Sequence, residues 1–224
     1  MSRVRVTPGF ATAGGVSPSI TIGTHLWMHW LQVSSERQRA ATAARGESLR
    51  LGSGADGFGR ALEIEMHASM VAIAGASHAI DALYGEIKPL VPISANLLAT
   101  WDANRTARHE RIFETLKRGC TLGTRTNTWP RRFRALYLLR DPVVHHEFGH
   151  QPTAPHPNGL TEVSQEMADY CVENLNASLD LAFDVILTTL RSPKASALVN
   201  WAKPMAHVPA AVEEWRRDIP SAYY

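Results

Sequence analysis

Between Leu62 and Ile87 the chain places an apolar side chain at nearly every third or fourth position: Leu62, Met66, Met70, Ile73, Ser77, Ile80, Tyr84 and Ile87. Only Ser77 departs from the pattern. At 3.6 residues per turn these positions share one face, so the spacing predicts a long amphipathic helix that Lys88-Pro89 ends. A stripe of that length needs other helices to cover it, which points towards a bundle.

The rest of the chain offers such partners. Ala168, Cys171, Leu175, Leu179, Ala182, Ile186 and Leu190 form a second stripe, predicting a helix over about 162–190. Leu26, Trp27, Trp30 and Leu31 head a helix from about Thr24 to Arg45, followed by a Gly/Ser-rich linker over 46–57. Asn104 is placed to cap a helix through Gly119, with Ile112, Phe113 and Leu116 facing inward. After a polar turn, Thr121 to Thr128, Pro130 suits the first turn of a helix carrying Phe133, Leu136, Tyr137 and Leu139. Residues 1–22 and 147–163 read as irregular, and the tail as holding a short helix near Pro209 to Asp218. No alternation of period two stands out. The expectation is an all-α, up-and-down helical bundle over 58–190, with an N-terminal segment (1–57) and a short-helical tail (191–224).

Composition narrows the setting. With 45% hydrophobic and 20% charged residues the chain is globular rather than disordered. Cys120 and Cys171 are too few and too far apart for a disulfide framework, which fits a reduced, cytoplasmic protein. Thr7 to Ser19 is broken by Gly, Ser, Thr and Pro, unlike a signal peptide, and no apolar run is long enough for a bilayer.

Charge is distributed unevenly. From 105 to 140 ten basic residues (among them Arg131, Arg132, Arg134 and Arg140) face only Glu110 and Glu114, whereas 141–190 holds eight acidic residues and no Lys or Arg. Either the basic segment forms a surface for RNA, with Arg131, Arg132 and Arg134 as candidate contacts, or the two segments neutralise each other across the bundle.

The boundary between these segments reads Arg140-Asp141-Pro142-Val143-Val144-His145-His146-Glu147-Phe148-Gly149-His150. Pro142 disfavours helical dihedrals at Asp141, so a break is expected there, with Asp141 capping a new helix that carries His145. Arg140 and His145 would then converge at a bend. An arginine, a polar residue, three variable residues and a histidine at the end of a bundle helix resemble the motif of the HEPN superfamily, and the helix pattern supports that resemblance from Phe58 to Leu190. The resemblance implies metal-independent RNA cleavage, without a cofactor, at a site formed across a homodimer. His145 would act as acid or base, Arg140 would hold the scissile phosphate and Asp141 would orient its neighbours. It also implies a toxin or defence role, with an antitoxin or nucleotidyltransferase as a further partner. Many HEPN-like proteins are non-catalytic partners, so that alternative stands beside the nuclease.

A different chemistry overlaps the same stretch. His146-Glu147-x-x-His150, with His156 six residues on, resembles the metzincin zinc pattern, except that Thr153 replaces its glycine. Pro152 and Pro155 prevent the ligand helix from continuing, Met167 falls in a predicted helix rather than a turn, and no upstream sheet is evident. Two other patterns are weaker. Gly52-x-Gly54-x-x-Gly57 lacks a buried strand before it, and His25 and His29 lie four apart among tryptophans.

Overall fold

The computed structural model describes residues 2–7, 19–144, 152–217 and 219. Among them the architecture is all-α, with nine α-helices and two minor hairpins. The frame is a helical hairpin of α1 (Leu26–Leu51) and α2 (Phe58–Ile87). Three contacts define it as antiparallel: His25 to Glu86, Ser34 to Gly75 and Arg45 to Glu65. Gly75 lets the helices approach, since a Cβ there would lie 2.4 Å from the Ser34 hydroxyl and 3.4 Å from the Trp30 carbonyl oxygen.

The stripe of α2 is the centre of the core. Leu62, Ile73, Ile80, Tyr84 and Ile87 are buried, and the exceptional Ser77 is buried too, its hydroxyl donating to the Ala74 carbonyl. Helix α7 (Val172–Arg191) packs on α1 and α2 through Leu175, Leu179, Phe183 and Ile186. Helix α5 (Trp129–Val144) lies against α2 and α7 through Phe133 and Leu136. Each such side chain contributes roughly 1.5–3 kcal/mol by leaving water. Helices α3 (Ala95–Ala103), α4 (Arg108–Gly119), α6 (Gln165–Asp169), α8 (Ser196–Ala202) and α9 (Val208–Arg216) complete the bundle.

Several boundaries differ from the sequence expectation, each for a local reason. The linker expected at 46–57 is half helix: α1 runs on to Leu51, and the turn is confined to 52–57, where Gly52, Gly54 and Gly57 all take positive φ. What precedes these glycines is a helix, so the dinucleotide pattern has no strand to act from. Asn104 follows α3 rather than capping α4; Ala107 holds the cap position and Arg105 turns the chain at φ 49°. The expected helix over 162–190 is split after Asp169, because other groups satisfy the broken ladder. The Asn174 side chain donates to the Asp169 carbonyl, and the Val172 amide donates to Glu65 Oε1.

Two hairpins replace segments expected to be irregular. Strand β1 (Ser2–Thr7) pairs antiparallel with β2 (Ser19–Thr24), and β3 (Thr153–Pro155) with β4 (Glu162–Ser164). The second hairpin packs Val163 on Phe58 and Leu62, beside Met167 of α6. No helix among the described residues is long and apolar enough to cross a membrane.

Candidate functional site

Helix α5 does not break at Pro142. It continues through Asp141 and Pro142 to Val144, so Asp141 is an exposed residue of the last turn and caps nothing. Pro142 therefore lies inside the helix, where it has no N–H to give the Leu138 carbonyl. His145, His146, Glu147 and His150 lie outside the described residues.

Arg140 is nevertheless well placed. It stands one turn after Tyr137, with its guanidinium 5.7 Å from that ring and only 23% of its side chain exposed. Its hold is incomplete: Nη1 donates to Asp141 Oδ1 at 3.4 Å, Nη2 lies 3.9 Å from Asp81 Oδ2, and the buried Nε has no hydrogen-bond partner. The Asp81 carboxylate, from α2, is mainly engaged by Arg108 of α4, whose Nε donates to it at 2.7 Å. Arg108 in turn lies 4.4 Å over the Tyr84 ring. The Tyr137 hydroxyl faces Asp81; burial, with the Asp81 charge, pushes that phenol far above its usual range.

Two histidines border this cluster. His109 of α4 stacks near Tyr137, ring centroids 5.8 Å apart. His78 of α2 lies against Trp30 at 4.9 Å; burial and then the Arg140 charge lower its pKa, against the opposing pull of Asp81. A hollow of about 250 Å³ opens here, lined by Arg108, His109, Arg134, Tyr137, Arg140 and Asp141. It presents arginine donors and an imidazole to one small volume, which suits an oxyanion such as a phosphate.

The three candidate RNA contacts separate. Arg131 and Arg134 are exposed on α5 with no ion-pair partner among the described residues. Arg132 points inward, donating to Asp180 at 2.8 Å and Asp184 at 3.2 Å, while Arg216 of α9 closes the square on the same two carboxylates. Inside the bundle the basic segment thus meets the acidic one through Arg132, and this arginine is no surface contact.

Of the four residues of the metal alternative only His156 is described. Its ring is buried in the connection between β3 and β4, with Nδ1 accepting from the Asn158 amide and Nε2 3.9 Å from Glu65. Among the described residues no three histidines, cysteines or carboxylates are grouped to hold a metal. His25 precedes α1 and contacts Glu86 at 2.8 Å, so it does not share a helical face with His29.

Asp81, Arg108, His109 and His78 were not singled out from sequence. The usable signal is spacing: Tyr137 and Arg140, like His78 and Asp81, are three apart and so share a helix face. What joins the two pairs is the tertiary packing of α2 against α5. No known family profile, no curated protein and no solved structure matches this chain.

Proposed function

We propose that the chain is an endoribonuclease of the HEPN type, cleaving RNA without a metal or cofactor. One observation carries the reading: Arg140, the arginine of the Arg-x4-His motif, lines a small hollow together with Arg108, His109 and Arg134. An arginine only loosely held by carboxylates, flanked by further cations, suits a phosphodiester. In the step proposed, His145 takes the proton of a ribose 2′-hydroxyl as that oxygen forms a bond to phosphorus. The bond to the 5′-oxygen breaks, and this oxygen takes up a proton. The products are a 2′,3′-cyclic phosphate and a 5′-hydroxyl. Arg140 stabilises the charge on the phosphoryl oxygens.

A homodimer belongs to the same proposal, and Leu138, 62% exposed beside Arg140, offers apolar surface to a second copy. So does a cytoplasmic setting, which suits two buried, free cysteines. A toxin or defence role with an antitoxin or nucleotidyltransferase partner rests on the HEPN resemblance alone. The non-catalytic reading draws on Asp81, which offsets part of the Arg140 charge.

The test is incubation of mixed RNA with the protein in excess EDTA, with end-group analysis. Wild type is expected to leave 2′,3′-cyclic phosphates, and His145→Ala and Arg140→Ala to lose at least 100-fold in rate, the order expected for removing a catalytic group. Absence of cleavage by wild type, or cleavage unchanged in both variants, overturns the nuclease reading.

A further inference from the structure

We propose that the crevice between α4 and α5 is the track of single-stranded RNA, running from the Arg140 hollow towards Lys194. The inference rests on the nuclease reading for its polarity, but the binding it predicts is measurable separately.

Three hollows line up along this crevice. The 250 Å³ hollow at Arg140 shares His109 and Arg134 with one of about 680 Å³. That one shares Phe113, Lys117 and Pro130 with a third of about 900 Å³, which Lys194 borders. The walls follow from helical spacing. On α4, His109, Phe113 and Lys117 recur every four residues; on α5, Arg131, Arg134 and Leu138 recur at three and four. From Arg131 to Asp141 the wall spans roughly 15 Å at ~1.5 Å per residue.

The chemistry of the walls selects the occupant. Arg131 and Arg134 are exposed and lack ion-pair partners among the described residues, whereas the intervening Arg132 is consumed by Asp180 and Asp184. Two carboxylates also line the middle hollow, but Glu114 is engaged by Lys117 and Arg118, which leaves Glu110 alone against the arginines. The floor is aromatic: half-buried Phe113 rests 6.3 Å from Phe133, near buried Trp101. Cations beside an aromatic floor are the two parts of a single-strand site, one for phosphates and one for bases. A crevice between two packed helices admits an extended strand with splayed bases rather than an A-form duplex.

The test measures anisotropy of a fluorescein-labelled, uncleavable 2′-O-methyl uridine 12-mer. Wild type is expected to bind, and Arg131→Glu with Arg134→Glu to weaken binding at least tenfold. The same change flattens the salt dependence by about 1.4 in slope, two contacts at ~0.7 each. Reversal of two exposed arginines elsewhere, Arg37→Glu with Arg60→Glu, is expected to change affinity less than twofold. Phe113→Leu, which keeps an apolar side chain but removes the ring, is expected to weaken binding about fivefold in protein that is still folded by circular dichroism at the assay temperature. Equal loss in both charge-reversal pairs, or no binding by wild type, overturns the track. A glutamate-rich 12-residue peptide binding as tightly as the RNA overturns it too and assigns the crevice to an acidic protein. Cleavage assays separate the two proposals. Track-specific binding without cleavage removes the nuclease alone, and cleavage indifferent to Arg131 and Arg134 removes the track alone.

Discussion

Two arginine–carboxylate clusters sit on α2, about four turns apart, and they differ in how fully they are closed. At Glu65 the acid is wholly buried, and Arg45 grips it through Nε and Nη2 while giving Nη1 and Nη2 to Glu173 at 2.6 and 2.8 Å. The Val172 amide takes another share of Glu65. At Asp81 the acid is part-exposed, Arg108 makes one short bond, and Arg140 hangs 3.9 Å away with Nε unsatisfied. The first cluster uses its charges to tie α1, α2 and α7 together. The second leaves Arg140 loosely held, with one buried donor unpaired at a cost in stability. Saturation, rather than the presence of charge, is what separates the two clusters.

The largest effect that tests this contrast is removal of each acid. Glu65→Ala leaves Arg45 buried with only Glu173 and is expected to cost about 3–5 kcal/mol in urea unfolding, the range for breaking a buried pair. Asp81→Ala acts on a pair whose arginine is half exposed, and about 1 kcal/mol or less is expected. Equal costs would show that the two clusters are alike and sink the distinction. The closed cluster also has a pH signature. Burial opposes ionisation of Glu173, but the Arg45 hydrogen bond, the backbone and Cys171 hydrogen bonds and the Arg45 charge together outweigh it and hold the carboxyl below its ordinary range. A lowered carboxyl stabilises the fold above its unfolded pKa of about 4.3 and loses that contribution as pH falls through the folded value. Stability should therefore drop below pH about 4.3 in wild type, and less steeply in Glu173→Gln.

An intermediate effect probes the hairpin that carries both clusters. Gly75→Ala puts a methyl group within 2.4 Å of the Ser34 hydroxyl, which donates to the Trp30 carbonyl at 2.9 Å. A shift of α1 away from α2 is expected, at about 1–3 kcal/mol. Ser34→Ala should recover part of that loss in the double variant, because it removes the nearest atom. No recovery would mean that the approach at Gly75 is set by backbone contact instead.

The same contrast explains what was legible in sequence. The stripes of α2 and α7 were readable because burial imposes helical periodicity on apolar residues. Their interruptions were not: the split at Tyr170–Cys171 depends on Asn174 and on Glu65, more than 100 positions away. The continuity of α5 through Pro142 was not legible, because the proline rule expresses a cost that the surrounding helix can absorb rather than a prohibition. In the candidate site, Arg140 and Asp141 belong to the motif read from sequence, whereas Asp81, Arg108 and His109 come beside them only when α2, α4 and α5 pack. Arg131, Arg132 and Arg134 look alike in a charge count; helical rotation alone turns the middle one inward.

The smallest effect expected is also the most local. His78 titrates low because burial and Arg140 both disfavour its charged form, so Arg140→Gln should raise its pKa while leaving the burial contribution in place. The ring proton shifts of His78, followed by NMR between pH 4 and 8, measure this directly. A histidine lowered in the folded state takes up its proton later than in the unfolded chain, whose value is about 6.5. Between these two values the unfolded chain binds more protons, so stability falls as pH drops through that window. Arg140→Gln should shrink this loss, and a phosphate oligonucleotide bound at Arg140 should likewise raise the His78 pKa by offsetting the guanidinium charge. An unchanged titration in Arg140→Gln would mean that the guanidinium does not act on His78, and that the open cluster is less connected than its geometry indicates.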